Sequence, residues 1–302
     1  MIRLRGRVHA IPRVMDLNSK PDLETSLQRA GCAIHVEHYR AHGHTRLAVV
    51  MVHGFSAHCG LYRHVGTALA SAGMAVTQFD GRGHGRSGGR RGHIVDFETY
   101  LDDLALVIEW ARKQDAGKPW ALLGHSMGSA ISLAFALDKS RTEDPSRLAL
   151  AAPWLKLKMK VSAPKRAAAN VAARVLPTLT SPNGLTAENL SRNPFVLAGF
   201  DKDPLVHHVA TAGWFMATLR AQARIRLQAK ELNVPTLMLL AGGDRIVANE
   251  ASLTFAREAG SVVEVRDYPG LFHEMFLEPE ADLVLADTST WLLAGSPDKK
   301  TA

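Results

Sequence analysis

The sequence predicts an α/β fold: a mostly parallel central sheet flanked by helices, with one inserted helical lid. Three observations carry that expectation. Short apolar runs alternate with helical patterns along the 302 residues, as they do in βαβ units whose sheet is covered on both faces. The alternation stops between Trp154 and about Leu232, where two helical stretches occur without a buried-strand run. It then resumes at Pro235 and continues nearly to the end. We therefore divide the chain into an N-terminal extension (1–30), a core (31–153 and 232–302) and a helical lid (154–231). With 46% hydrophobic and 22% charged residues, the chain has the balance of a globular protein rather than a disordered one.

The elements follow in order. Leu47–Val52 is the first strong strand, closed by His53-Gly54, and a helix from about Leu61 to Ala72 leads to a strand at Ala75–Phe79. A glycine-rich turn runs from Asp80 to Gly92. Asp96 is placed to cap the next helix, whose Leu101, Leu104, Val107, Ile108 and Ala111 recur at helical spacing. Acids at its start (Asp96, Glu98) and cations at its end (Arg112, Lys113) suit the helix dipole. Strands are expected at Trp120–Leu123, Arg147–Ala151, Pro235–Leu240 and Val262–Tyr268, with helices from Gly128, after Ala248 and from about Glu280 to Leu293. Within the lid, helical patterns cover about Lys165 to Val175 and Leu205 to Lys230.

Gly124-His-Ser-Met-Gly128 falls where a strand meets a helix. That is the position in which a G-x-S-x-G turn holds its serine strained, with the hydroxyl above the sheet edge. A serine hydroxyl is a weak nucleophile at neutral pH and needs a base, which in turn needs an orienting carboxylate. In chain order Ser, acid, His, Asp244 follows the strand Pro235–Leu240. His273 follows the last strand and is the only histidine C-terminal to Asp244. We therefore expect Ser126, Asp244 and His273 to be the catalytic triad. Asp267 is the rival acid, but it lies within the last strand, too near His273 in sequence to reach round to its far nitrogen. The N–H groups of Phe55 and Met127 are expected to form the oxyanion hole. Losing one such donor costs about 3–4 kcal/mol of transition-state stabilisation. Placement in the elbow makes His125 a candidate substrate contact.

Other signals are set aside on physical grounds. Gly83-His-Gly-Arg-Ser-Gly88 matches a dinucleotide fingerprint, but no helix opens at its end and no acid closes a following strand. His35, His38, His42 and His44 crowd one stretch. If Ala33–Tyr39 is extended, His35 and His38 point to opposite faces, so a solvated hairpin is expected rather than a metal site. Cys32 and Cys59 are too few for a disulfide framework, and Cys59 reads as a small buried hydrophobe. No run of ~18 apolar residues is present, and no apolar h-region follows the N-terminal arginines. A cytoplasmic protein, peripheral at most to a membrane, is expected.

Together these motifs resemble the monoacylglycerol lipase and lysophospholipase branch of the α/β-hydrolases. The resemblance rests on His53-Gly54, Asp80-Gly-Arg-Gly-His-Gly-Arg-Ser87 running into Gly89-Arg-Arg-Gly-His-Ile94, Gly124-His-Ser-Met-Gly128, Gly243-Asp244 and His273-Glu274, and it covers about Ala33 to Leu293, with Asp203-Pro-Leu-Val206 in the lid. It implies the α/β-hydrolase fold, the same triad and oxyanion donors, hydrolysis of carboxylic esters through an acyl-enzyme, and no cofactor. Better-known monoacylglycerol lipases follow the His-Gly pair with a Glu and, four residues later, an Arg that help to hold the glycerol. Here those positions are Ala57 and Leu61, so ester hydrolysis carries over and glycerol selectivity does not. A broad carboxylesterase, an aminopeptidase-like enzyme and a catalytically silent ligand-binding fold are the alternatives. Dehalogenase and epoxide hydrolase chemistry is disfavoured because the elbow carries Ser.

The net charge of +7 is local. Lys156, Lys158, Lys160, Lys165, Arg166 and Arg174 fall between Trp154 and Leu176 with no acid among them. They suit either a solvated lid surface or one that rests on an anionic membrane or micelle. Nucleic acid is disfavoured, since interleaved aromatics are lacking. Val209, Trp214, Phe215, Met216 and Leu219 suit an acyl pocket, with Trp214 and Phe215 as substrate contacts, or packing of the lid on the core.

Overall fold

The computed structural model describes residues 19–141, 144–158 and 163–294. Among them one eight-stranded sheet forms the centre. It is built from β1 (Leu23–Arg29), β2 (Cys32–Tyr39), β3 (Leu47–Val52), β4 (Met74–Phe79), β5 (Trp120–His125), β6 (Arg147–Ala151), β9 (Thr236–Ala241) and β10 (Val263–Tyr268), in the order β1-β2-β4-β3-β5-β6-β9-β10. β2 is antiparallel to both its neighbours, and from β4 onward every pairing is parallel. β3, β4, β5 and β9 are buried at every residue, which is why they read as unbroken apolar runs. Helices α1 (Arg63–Ser71), α2 (Glu98–Gln114), α3 (Met127–Leu137), α8 (Asn249–Ala259) and α9 (Ala281–Leu293) cover them.

Between β6 and β9 lie α4 (Ala163–Val175), β7 (Thr180–Pro182), α5 (Ala187–Leu190), α6 (Pro194–Gly199), β8 (Val209–Thr211) and α7 (Ala212–Leu227). β7 and β8 pair only with each other. α7 begins later than helical spacing alone suggests, because Thr211 caps it by accepting from the Trp214 N–H at 3.2 Å. α7 also packs on α3, and its Trp214, Ala217, Ala221 and Ile225 belong to the main apolar core. A smaller apolar cluster of Ala187, Leu190, Phe200 and Val206 holds the rest together.

Two expectations need correcting. The N-terminal extension was drawn to residue 30, yet Leu23–Arg29 is a strand of the sheet, joined to β2 by a turn with positive φ at Ala30 and Gly31. As an edge strand it is only half-covered, so its sequence carries no strong apolar alternation. The histidine-rich stretch is a solvated hairpin only in part: His42 and His44 are exposed, but the strand before them is covered. β2 is enclosed by β1 and β4, and His38 is buried with a 3.0 Å contact to Thr77 Oγ1.

Candidate active site

Parallel strands deliver their C-terminal ends to one edge of the sheet, where ligands of open α/β folds are received. The loops after β3, β5, β9 and β10 meet there. Ser126 stands between the end of β5 and the start of α3 with φ 52° and ψ −113°, a strained conformation for a residue with a Cβ. The flanking glycines make this turn possible. A Cβ at Gly128 would lie 2.0 Å from the Val52 carbonyl oxygen, and one at Gly124 would lie 2.6 Å from Ser129 Cα.

His273 Nε2 lies 2.8 Å from Ser126 Oγ, and its Nδ1 lies 2.8 Å from Asp244 Oδ2. Donation from Nδ1–H to the carboxylate leaves the Nε2 lone pair facing the hydroxyl, the tautomer a base requires. All three side chains are buried. Burial alone would lower the His273 pKa, but the adjacent Asp244 carboxylate outweighs it and the net shift is upward. Burial pushes Asp244 up, whereas His273 and the N–H groups of Val247 and Ile246 bring it below its ordinary value. Those N–H groups donate to Oδ1 at 2.9 and 2.7 Å, so both carboxylate oxygens are engaged. Such an arrangement can take a hydroxyl proton and stabilise the imidazolium that results.

Phe55 lines the same cavity as Ser126, and Met127 follows Ser126 directly. Met127 heads α3, and the loop carrying Phe55 passes so close that a Cβ on Gly54 would lie 3.3 Å from Ser126 Cβ. The Phe55 ring stacks on Trp214 at 3.7 Å, and Trp214 stacks in turn on Trp154 at 5.5 Å. His125 does not touch the cavity. It is fully buried, its Nε2–H donates to the His273 carbonyl oxygen at 3.0 Å, and it faces Tyr62. It braces the histidine loop, correcting the expectation that it meets substrate.

Over Ser126 and His273 lies a cavity of about 510 Å³, within the range of small-molecule sites. Trp154, Leu157, Ala172, Leu179, Trp214 and Phe215 form one apolar wall, while Asn183, Arg245, Ile246 and Glu274 also line it. Ala57 is buried in the apolar core and half-buried Leu61 packs against it; neither lines the cavity.

Several supports escaped the sequence. Lys158, expected among the surface cations, donates from Nζ to the Asp244 carbonyl oxygen at 2.6 Å. Lys160 and the side chains of Lys165 and Arg166 lie outside the described residues. Buried Glu278 accepts from the N–H groups of Phe272 and Arg192 and from Ser191 Oγ, tying the His273 loop to the segment before α6. His58 pairs with Asp203 at 2.9 Å, another core-to-insertion link. The only visible hints were the acid five residues after His273 and the Asp203-Pro-Leu-Val206 stretch. Among the described residues His35, Cys59 and Asp80 could converge on a metal ion. However, both Asp80 oxygens already accept backbone N–H groups, from Cys59 and Arg86. Burial, with Asp80 nearby, also pushes the Cys59 thiol well up.

Comparison with known proteins gives the family. Residues 43–280 match the family model described as serine aminopeptidase, S33. The monoacylglycerol lipase of Mycolicibacterium smegmatis is 35% identical over 251 residues, 82% of this chain and 89% of the relative. Phospholipase YtpA of Bacillus subtilis is 30% identical over 237 residues, 78% of this chain and 90% of the relative. The crystal structure of the Paleococcus ferrophilus monoacylglycerol lipase superposes with a TM-score of 0.78 at 28% identity, covering 86% of this chain and 98% of that one.

Proposed function

The chain belongs to the serine aminopeptidase, S33 family, in the monoglyceride lipase-like branch of the α/β-hydrolases, and is an ester hydrolase; from that premise we propose that it cleaves single-chain lipid esters, monoacylglycerols or lysophospholipids. Ser126 Oγ attacks the acyl carbon while His273 takes its proton. Asp244 stabilises the imidazolium, and the N–H groups of Phe55 and Met127 receive the oxyanion. His273 then protonates the leaving alkoxide, and water cleaves the acyl-enzyme by the reverse sequence. The single observation behind this reading is an imidazole 2.8 Å from both Ser126 Oγ and Asp244 Oδ2 beneath an apolar cavity. The relatives named for monoacylglycerol and phospholipid hydrolysis support the substrate class. Trp214 and Phe215 line the cavity and are assigned to the acyl chain, whose burial contributes about 0.8 kcal/mol per methylene.

The segment 154–231 acts, in this reading, as a lid that meets a lipid surface. Val171, Val175, Leu176, Leu179 and Phe195 are 54–80% exposed in it, and Lys156 and Arg174 stand exposed nearby. Two buried free cysteines suit a reducing, cytoplasmic setting. No described helix is long and apolar enough to cross a membrane. A panel of purified monoacylglycerols, lysophospholipids, triacylglycerols and short p-nitrophenyl esters tests the assignment. Monoacyl lipids are expected to give the highest kcat/KM. A flat preference from two-carbon to sixteen-carbon acyl groups contradicts the acyl pocket and favours a broad carboxylesterase.

A further inference from the structure

The alcohol half of the substrate has no assigned recognition: neither buried Ala57 nor half-buried Leu61 lines the cavity over Ser126. Its location follows from the chemistry. The leaving oxygen must come within hydrogen-bonding reach of His273 Nε2 to be protonated, so the alcohol extends along the His273 loop. Arg245 flanks that loop. It follows Asp244 in sequence, lines the cavity that holds Ser126 and His273, and is exposed at the rim. Its guanidinium carbon sits 4.1 Å over the ring of Phe272, the residue before His273.

Arg245 differs from the other charged groups of the cavity wall. His273 is paired with Asp244. Glu274 is 3% exposed, lies deeper, and its carboxylate accepts from the Tyr62 hydroxyl at 2.8 Å. The neighbouring Arg192, which also faces Phe272, is committed to Glu278 and Glu280. Arg245 donates only to the neutral Glu188 carbonyl oxygen, at 3.1 Å, and among the described residues no carboxylate is paired with it. A guanidinium held by stacking, with unused N–H donors and no counter-charge, is suited to a bidentate phosphate or carboxylate.

We propose that Arg245 receives an anionic group on the alcohol half of the substrate, so that monoacyl esters of a phosphate- or carboxylate-bearing alcohol are preferred over neutral monoacylglycerols. This rests on the ester-hydrolase reading of the same site and adds the head-group class to it. Glu274 does not oppose such a ligand, since the anion is met at the rim and the Glu274 carboxylate is deeper. A charge-assisted contact at a part-exposed site corresponds to roughly a tenfold preference, weakened by salt.

The test compares 1-hexanoylglycerol 3-phosphate with 1-hexanoylglycerol, both below their aggregation concentrations so that no lipid surface contributes. The readout is the ratio of the two kcat/KM values, which does not depend on how much of a variant is folded. The ratio is expected to exceed one in the native enzyme, to fall about tenfold in R245Q and further in R245E, and to stay between native and R245Q in R245K. Sodium chloride at 0.5 M should shrink it in the native enzyme and leave R245Q unmoved. A ratio unchanged in R245Q, or an equal loss on both substrates, overturns the proposal and leaves Arg245 a brace for Phe272 and α5. Hydrolysis of neither substrate overturns the functional reading itself, and this proposal with it.

Discussion

The sheet edge and the insertion above it are built on opposite terms. At the edge, Ser126, Asp244 and His273 are buried, each holds a hydrogen bond within the group, and glycines at 124 and 128 leave no room for a Cβ. The insertion carries exposed apolar side chains at Val175, Leu176 and Phe195. Polar links such as His58 to Asp203 and Asn183 to Ser56 join it to the core. Chemistry that tolerates about half an ångström of error is placed where packing is tight. In the proposed reading, contact with a lipid surface falls to the part where apolar side chains face solvent. Changes at the edge should therefore act on rate, and changes in the insertion on substrate range and surface binding.

The largest effect should come from the edge. Asp244→Asn removes the charge that raises the His273 pKa and favours the wrong imidazole tautomer, so kcat should drop about 10⁴-fold. Its pH profile sharpens the point. The base form of His273 is needed and Asp244 raises its pKa above the ordinary 6.5. Native kcat/KM should therefore rise with pH through a value above 6.5, and in the Asn variant the inflection should move to lower pH. An acidic limb that stays in place would mean another group sets it.

Trp214 belongs to both regions, since it lines the cavity and stacks between Phe55 and Trp154. Trp214→Ala should cost about 3–5 kcal/mol of stability by denaturant melt. It should also lower kcat/KM on long acyl esters about tenfold more than on acetate. Equal losses across chain length would reduce Trp214 to packing alone.

The smallest effect should be at the outer face of the insertion. Phe195 is 80% exposed, and Phe195→Asp should lower co-flotation with anionic vesicles about tenfold, the equivalent of one aromatic side chain's burial. Hydrolysis of a soluble ester should be unaffected. Native protein that floats equally with neutral and anionic vesicles would remove the electrostatic part of the role proposed for the insertion.

How much of this was legible in the chain follows from the same contrast. Strands buried on both faces, such as Leu47–Val52 and Trp120–His125, announce themselves as continuous apolar runs. The order Ser, Asp, His then singles out three side chains of which the fold brings the first two each to 2.8 Å from a nitrogen of the third. Leu23–Arg29 was not legible, because an edge strand with one covered face needs few apolar residues. His125 was misread because the motif gives its position and not the direction of its ring. The role of Lys158 was hidden because its acceptor is a backbone carbonyl, which every residue carries. Arg245 was hidden because its stacking partner, Phe272, lies on a different loop.

The central claim is that His273 activates Ser126 for attack on an acyl carbon. A fluorophosphonate probe reports on that directly, since it forms a stable adduct only with an activated serine hydroxyl. The native protein should gain one adduct, located at Ser126 by peptide mass spectrometry. His273→Ala should label far more slowly and Ser126→Ala not at all, with esterase activity lost in step. Full labelling and activity in Ser126→Ala would contradict the account.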